Sequence, residues 1–486
     1  MAQPLMFGTK VRALRRREKL TQAQLADRLG ISASYLNLIE NNRRPLTANM
    51  LLKLAEHFHL DLSSFAPTDE ARLVSDLREV FADPMFESGN VSSSDLREMA
   101  VASPAAASAV LKLYQSYCSA RQSVDSLAEK LYQQGAPELS SAADPTEEVN
   151  DLLQRHGNYF PELERAAEEL WDQAGLHFDD VWGGLINYLR RHHKIDVRVL
   201  RAEEDGKSMR RYDPKRGEIT LSEVLPPRSR RFQLAHQVGL ICCSETIDSL
   251  DVYEELSSDE ARALARVVLS NYFAAAVLMP YQPFLDSALR GRYDIELLAH
   301  RYRTSFEQVC HRLTTLRRPG AEGIPLHFLR IDIAGNISKR FSGSGIGMPR
   351  FSGACPRWNV HAAFLTPGMF RIQLSRMPDG QVYFCIARTV RRDSGGYNMP
   401  HTVHSIAIGC DLNHAREMVY SDGVDLDNPN AATPVGVTCR TCEQLDCEQR
   451  VSPPMQHPLK IDENVRGVSF FAPVFNRNPP LDGDAD

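Results

Sequence analysis

The chain has 486 residues, room for about two to four domains. Its 43% apolar and 24% charged content is that of a folded globular protein, and its net charge of −6 excludes a chain-wide nucleic-acid coat, so any DNA contact must be local. No run of about 18 apolar residues offers a membrane span, and MAQPLMFGTKVRALRRREK lacks the apolar core of a signal peptide. A cytoplasmic setting without membrane contact is expected, where the ten cysteines would be buried, metal-binding or redox-active rather than disulfide-bonded.

Residues 10–19, KVRALRRREK, form a strongly basic stretch. The segment after it, to about residue 58, carries apolar residues at helical spacing: Leu25, Ala26 and Leu29, then Leu36 and Ile39, then Leu51, Leu54, Ala55 and Phe58. Thr21 suits an N-cap, Gly30 a left-handed C-terminal position, and Ser32 the cap of the next helix. Helix, short glycine turn and second helix is a helix-turn-helix arrangement. A recognition helix needs short polar side chains at its start to meet base edges, and Ser32, Ser34, Tyr35 and Asn37 stand there. Gln22 opens the preceding helix, where it can clamp a phosphate. Arg43 and Arg44 suit backbone contacts. TQAQLADRLGISASYLNLIENNRRP resembles the XRE/Cro helix-turn-helix family. We place this domain at 1–66.

Residues 67–150 read as a helical linker or dimerisation region, with Pro104 interrupting the apolar spacing and Cys118 as a small buried hydrophobe. GAPELSSAADPTEEV marks a hinge near 135–146.

A mixed α+β domain is expected over 151–320. FPELERAAEELWDQAG reads as a helix, VWGGLINYLRRHHKIDVRVL as a helix entering a strand, and MRRYDPKRGEITLSEVLP as a hairpin. RRFQLAHQVGLICC and a long helix ending at Met279-Pro280 follow. This order, with NYFAAAVLMP, resembles the ImmA/IrrE-type zinc peptidase domain. Such a peptidase places two histidines at i and i+4 with a glutamate between them as general base. Here His236 stands with Gln237 at the base position and Leu240 at the second ligand. The resemblance puts a third ligand at Val267. A catalytic zinc needs three protein ligands and a water, and glutamine cannot take the water's proton, so no enzyme activity is expected. His236 has a plain alternative as a core histidine. The cleft has gained apolar walls, and Arg210, Arg211, Arg230 and Arg231 could meet phosphates beside it. Tyr272, next to the degenerate site, completes the candidate ligand-binding set. Cys242, Cys243 and Cys310 read as core.

The segment 321–486 is expected to form a mixed α/β, cysteine-rich domain, with Cys385 in the core. GVTCRTCEQLDCEQR sets Cys439, Cys442 and Cys447 in a C-x2-C-x4-C run that can wrap one metal centre. The second knuckle of a zinc ribbon is missing, which places a [4Fe–4S] cluster ahead of zinc. Cys410 in IAIGCDL is a credible fourth ligand, through the shorter loop and an adjacent glycine. Cys355 in GACPRW is the other, because a proline follows it.

Taken together, the fold expected is mainly α with α+β: a helix-turn-helix bundle, an ImmA/IrrE-like domain and a cysteine-rich domain. With CPRWNVHAAF, MPDGQVYF and IGCDLNHAREMVYSDGVDL, the chain resembles the short-chain fatty acyl regulator family over nearly its full length. That resemblance implies a transcriptional regulator of propionate/methylcitrate or glyoxylate metabolism. It further implies sensing of a short acyl-CoA and an iron–sulfur cluster in the C-terminal domain. Such a protein would bind a double-stranded operator as a homodimer or higher homo-oligomer. The alternative, a regulatory metallopeptidase that cleaves a repressor, is disfavoured by the three absent positions.

Overall fold

The computed structural model describes the chain except residues 1–7, 19, 42, 45–46, 59–66, 84–85, 87–90, 134–144, 202–207, 350–352, 393–397, 399–400, 440–441, 443, 454–467 and 470–486. The expected hinge at 135–146 falls almost wholly outside the described residues. Two compact units emerge: Met1–Gln122 with Gly347–Ser352 and Gly436–Asp486, and Ser123–Ile346 with Gly353–Val435.

In the first unit, α1 (Gly8–Arg17), α2 (Gln22–Leu29), α3 (Ala33–Glu40) and α4 (Ala48–Phe58) close around Val11, Leu25, Leu29, Leu36, Ile39 and Leu54. Thr21 and Gln24 form a reciprocal capping box on α2, Gly30 ends it at φ 69°, and Ser32 caps α3. After α5 (Pro67–Val80), α6 (Ser93–Ala102) and α7 (Pro104–Gln133) meet at Pro104, which breaks one helix and starts the next where its missing N–H costs nothing. A small core of Val74, Leu77, Leu96, Ala100, Leu111 and Tyr114 joins these three.

The second unit begins with α8 (Pro145–Arg155), α9 (Pro161–Ala174) and α10 (Val181–Tyr188), which unwinds through a π turn at Leu189–His193. Strands β1 (Asp196–Leu200), β2 (Arg210–Asp213) and β3 (Glu218–Ser222) follow, in sheet order β1-β3-β2, with β2 and β3 as the expected hairpin. Helices α11 (Pro227–Cys242), α12 (Ser244–Asp248), α13 (Asp259–Leu278), α14 (Tyr281–Arg290), α15 (Ile295–Arg301) and α16 (Phe306–Leu313) come next. By length and composition α13 could cross a bilayer, yet 61% of its apolar window is buried inside the protein.

After a short hairpin of β4 (Arg317–Arg318) and β5 (Ala321–Glu322), a six-stranded sheet forms from β6 (Leu326–Ile331), β7 (Ile337–Ser342), β8 (Arg371–Arg376), β9 (Val382–Arg392), β10 (Thr402–Asp411) and β11 (Thr433–Pro434). Its order is β11-β8-β9-β10-β6-β7. Alternation sends Phe328, Phe384, Ile386, Ile406, Ile408 and Cys410 into one core with residues of α14, α15 and α16. The outer strand β7 is sealed by Gln154 of α8, whose amide donates to the Ser342 carbonyl at 2.8 Å and accepts from its N–H at 3.1 Å. On β8, the Asn359 amide of α17 (Asn359–Ala362) donates to the Arg371 carbonyl.

The expected divisions at 150/151 and 320/321 therefore do not follow the packing. The six-stranded sheet down to Val435 shares a unit with the middle helices, whereas Gly436–Asp486, cysteine run included, groups with the helix-turn-helix. Within the second unit lies a buried polar knot. Arg312 on α16 donates to both carboxylate oxygens of Glu164 on α9, at 2.5 and 2.8 Å, and to the Met279 carbonyl at the end of α13. Tyr272 donates to Glu164 at 2.6 Å. Burial works against the Arg312 charge, but Glu164 outweighs it and holds the guanidinium above its ordinary range. Removing one partner strands a buried charge, so Glu164→Gln or Arg312→Met should each destabilise the second unit by about 3–5 kcal/mol, measured by urea unfolding. The paired replacement Glu164→Leu with Arg312→Met should cost clearly less than the two single changes added together.

Candidate functional sites

The DNA-reading face begins with a buried carboxylate. Glu40, the last residue of α3, lies four positions after Leu36 and so falls on the inward face. Arg15 of α1 meets it with two bonds of 2.6 and 3.0 Å, and Gln22 Nε2 donates to it at 2.8 Å. Burial pushes the Glu40 carboxyl up, but these donors outweigh it and leave it below its ordinary range. The pair fixes α3 against α1 and α2, leaving Ser32, Ser34 and Asn37 exposed on one side. Ser32 spends its hydroxyl on the Tyr35 N–H as the helix cap. Asn37 Oδ1 accepts from Asn41 at 2.7 Å and from Gln22 at 3.4 Å, so its amide is oriented before any base arrives. Arg43 and Arg44 are both exposed, and Arg44 lies over the Tyr35 ring at 5.5 Å. Glu40, Arg15 and Asn41 were not in the residue set read from the sequence. A charged residue four positions after a core leucine was the available signal for Glu40.

The degenerate peptidase cleft lies between α11 and α13. His236 is buried and its Nδ1 meets Asn271 Oδ1 at 2.8 Å. Asn oxygen is an acceptor, so Nδ1 carries the proton and Nε2 its lone pair. Burial, then the nearby Arg210 charge, pushes the imidazole down to about 4. Leu240 is one turn beyond His236. Val267, one turn before Asn271, is 43% exposed, an apolar side chain where the peptidase family carries a ligand.

The structure separates the candidate ligand-binding residues. Arg210 turns toward α11 and donates to Gln233, one turn before His236. Arg211, its neighbour on β2, points to the opposite face and is exposed. Arg231 reaches the Arg303 carbonyl instead. Tyr272 is tied to Glu164 in the polar knot, with its hydroxyl also accepting from the Phe160 N–H. Only Arg210 and His236 share one neighbourhood.

The cysteine run folds around an arginine. Arg450 is buried and donates to the carbonyls of Cys439 at 2.6 Å, Cys442 at 2.7 Å and Gln444 at 2.5 Å. Cys442 and Cys447 are buried and Cys439 half-buried. Burial raises the Cys442 thiol. The Gln444 N–H and Arg450 pull it down, and the Cys447 and Cys439 thiols push it up, so the three sulfurs lie within mutual electrostatic reach. A Cβ at Gly436 would stand 2.9 Å from the Cys442 sulfur, so glycine keeps that space clear. Among the described residues, no three Cys, His, Asp or Glu side chains converge closely enough to hold a single ion. Of the distal thiols, Cys410 is fully buried in the sheet core, its sulfur donating to Met418 at 3.7 Å, and burial holds it above the ordinary thiol range. Cys355 lies in the loop before α17.

A helix-turn-helix bundle, a degenerate peptidase scaffold and a cysteine loop in one chain define a transcriptional regulator. Comparison with known proteins gives the same class. Residues 11–65 match a helix-turn-helix, 190–314 an IrrE N-terminal-like domain, and 315–471 the C-terminal domain of short-chain fatty acyl coenzyme A regulators. The chain is 39% identical over 472 residues to a propionyl-CoA carboxylase regulator of Cereibacter sphaeroides, covering 96% of this chain and 98% of that one. It is also 39% identical to the HTH-type transcriptional regulator RamB of Mycobacterium tuberculosis, with the same coverage. PrpR of that organism is 38% identical over 94% of this chain and 93% of its own. A solved Mycobacterium tuberculosis transcriptional regulator superposes with a TM-score of 0.64 at 39% identity, covering 68% of this chain and all of that one. The chain belongs to the short-chain fatty acyl-CoA regulator family.

The buried histidines have a consequence for stability. His236 sits at about 4 in the fold against about 6.5 when unfolded, so the unfolded chain takes up the proton first. Stability is then lost as pH falls from about 6.5 and levels off below about 4, by up to about 3 kcal/mol for this group. His327, pushed down to about 3 by burial, acts in the same direction. Thermal melts of the wild type at about pH 7 and pH 4.5 should differ more than those of His236→Gln, which lacks the titrating ring.

Proposed function

We propose that this regulator reads an operator through α3 as a homodimer and takes a short acyl-CoA, of the propionyl class, as its effector. The observation that carries the DNA half is the exposed Ser34 and Asn37 face fixed by the buried Arg15–Glu40 pair. A single small bundle binds too weakly alone, so two copies on an inverted repeat are required. The effector half rests on the family and on its relatives, one of which is named as a propionyl-CoA carboxylase regulator. Target genes in propionate or glyoxylate metabolism follow from the same likeness. Arg210 and His236 remain the effector contacts offered from the cleft, while the burial of Tyr272 and the divergence of Arg211 and Arg231 weigh against those three. Peptidase chemistry is not proposed, because Gln237, Leu240 and Val267 supply neither base nor ligands.

A [4Fe–4S] cluster held by Cys439, Cys442 and Cys447 is part of this reading. The fourth thiolate remains Cys410 or Cys355, as read from the sequence; burial of the Cys410 sulfur in an apolar core weighs against the first. When bound, such a cluster supplies a redox-sensitive group and ties the loop in place. Anaerobically purified protein should be brown, Cys442→Ser should bleach it, and of Cys355→Ser and Cys410→Ser only the ligand's should do so. A colourless protein with one equivalent of zinc would retire the cluster and keep the three-cysteine site.

Operator binding tests the rest. Asn37→Ala should change base preference with a cost of about 1–3 kcal/mol, whereas Arg43→Ala should weaken all sequences alike and lower the salt slope. Propionyl-CoA should shift operator affinity by about 1–3 kcal/mol. Calorimetry with no acyl-CoA binding to the full-length, cluster-loaded protein would remove the effector.

A further inference from the structure

One lysine stands in a setting unlike an ordinary surface lysine. Lys339 on β7 is directly opposite Arg330 on β6, so two like charges share one face of the sheet. Its side chain is 44% exposed. The groups that face it come from four elements. From α16 come Glu307, 3.9 Å from Nζ, and His311, whose Nε2 lies 3.4 Å from Nζ. From β6 comes Arg330, from β9 Arg392, and from β10 His404 beside both arginines. One carboxylate thus serves three cations. Glu307 takes Arg330 at 2.5 Å and Arg392 at 3.1 Å, leaving Lys339 at the long distance. His311 is in contact with the Phe328 ring at 4.0 Å between centroids, and burial keeps its imidazole neutral.

We propose that Lys339 is an acylation site, at which its amine, held by the contact with His311, takes the acyl group of a short-chain acyl thioester. In this step the Nζ lone pair attacks the thioester carbonyl carbon. A C–N bond forms and the C–S bond breaks, so the acyl group leaves sulfur for nitrogen. The proton released from Nζ goes to the departing thiolate, while His311 Nε2 holds the amine through the existing contact. The products are an amide on Lys339 and a free thiol, and no oxidant or reductant is needed. The reaction wants a neutral amine at physiological pH. Burial, assisted by Arg330 and Arg392 and opposed by Glu307, pushes the ammonium down to about 8. Acylation also relieves the cationic crowding on this face, because the product carries no charge.

The inference stands apart from effector binding, since any reactive short thioester serves as donor. Full-length protein is incubated with S-propionyl-N-acetylcysteamine and, separately, with propionyl-CoA, and acylation is followed by peptide mass spectrometry. The exposed Lys112 and Lys215 are references within the same chain. Lys339 should be acylated about tenfold faster than either near neutral pH, the gain in neutral amine being partly offset by its lower nucleophilicity. Its rate should rise with pH to a plateau near the depressed value. Arg392→Ala, at a side chain 57% exposed, should slow the reaction and move that plateau upward, because Glu307 becomes free to hold the ammonium. Acylation of Lys339 no faster than Lys112 and Lys215 with the small thioester would overturn the proposal, as would a rate still climbing through the range of ordinary lysines. Selective acylation by the small thioester without any calorimetric binding of propionyl-CoA would uphold the site while removing the effector reading.

Discussion

The second unit is organised by one ion pair taken fully out of water. Glu164 and Arg312 are separated by most of the unit's helical segment, yet each satisfies the other with two bonds. An unpaired buried charge costs far more than an imperfect apolar contact, so the fold cannot form with these groups elsewhere. Tyr272 and the Met279 carbonyl occupy the remaining donors and acceptors, which fixes the end of α13. The cleft and the sheet are then positioned through α13 and α16. An ion pair of this kind adds little net stability and a great deal of register, because sliding either helix by one residue breaks several bonds at once.

The same constraint explains what became of the peptidase scaffold. Loss of the ligands at 240 and 267 did not leave His236 free. Asn271 holds its ring in one tautomer, as an outer partner does for a metal-binding histidine. The orienting bond has outlived any ion it served. The nearby Arg210 charge disfavours protonation of that ring.

Much of this was legible in the sequence because it depends on neighbours a few residues apart. Thr21, Gly30 and Ser32 announced their caps, Pro104 its break, and the hairpin around Gly217 its turn, all through local backbone preference. The three lost positions at 237, 240 and 267 were equally plain, since a motif is a spacing. What could not be read was pairing at long range. Tyr272 looked like a pocket residue until Glu164, 108 positions earlier, was found against it. Arg210 and Arg211 looked like one patch until the strand sent them to opposite faces. Across the division at 320/321 the six-stranded sheet turns its apolar face onto α14, α15 and α16. A linear sequence marks a new segment there without showing that it shares a core with the old one.

The amide of Gln154 repays a last look. By presenting one donor and one acceptor to Ser342, it occupies the hydrogen-bonding pair that another strand would need in order to dock there. An open sheet margin invites indiscriminate stacking into fibres wherever copies of a chain crowd together. On this margin the Gln154 side chain acts as an end-stop, filling the bonds through which a further strand would dock onto β7.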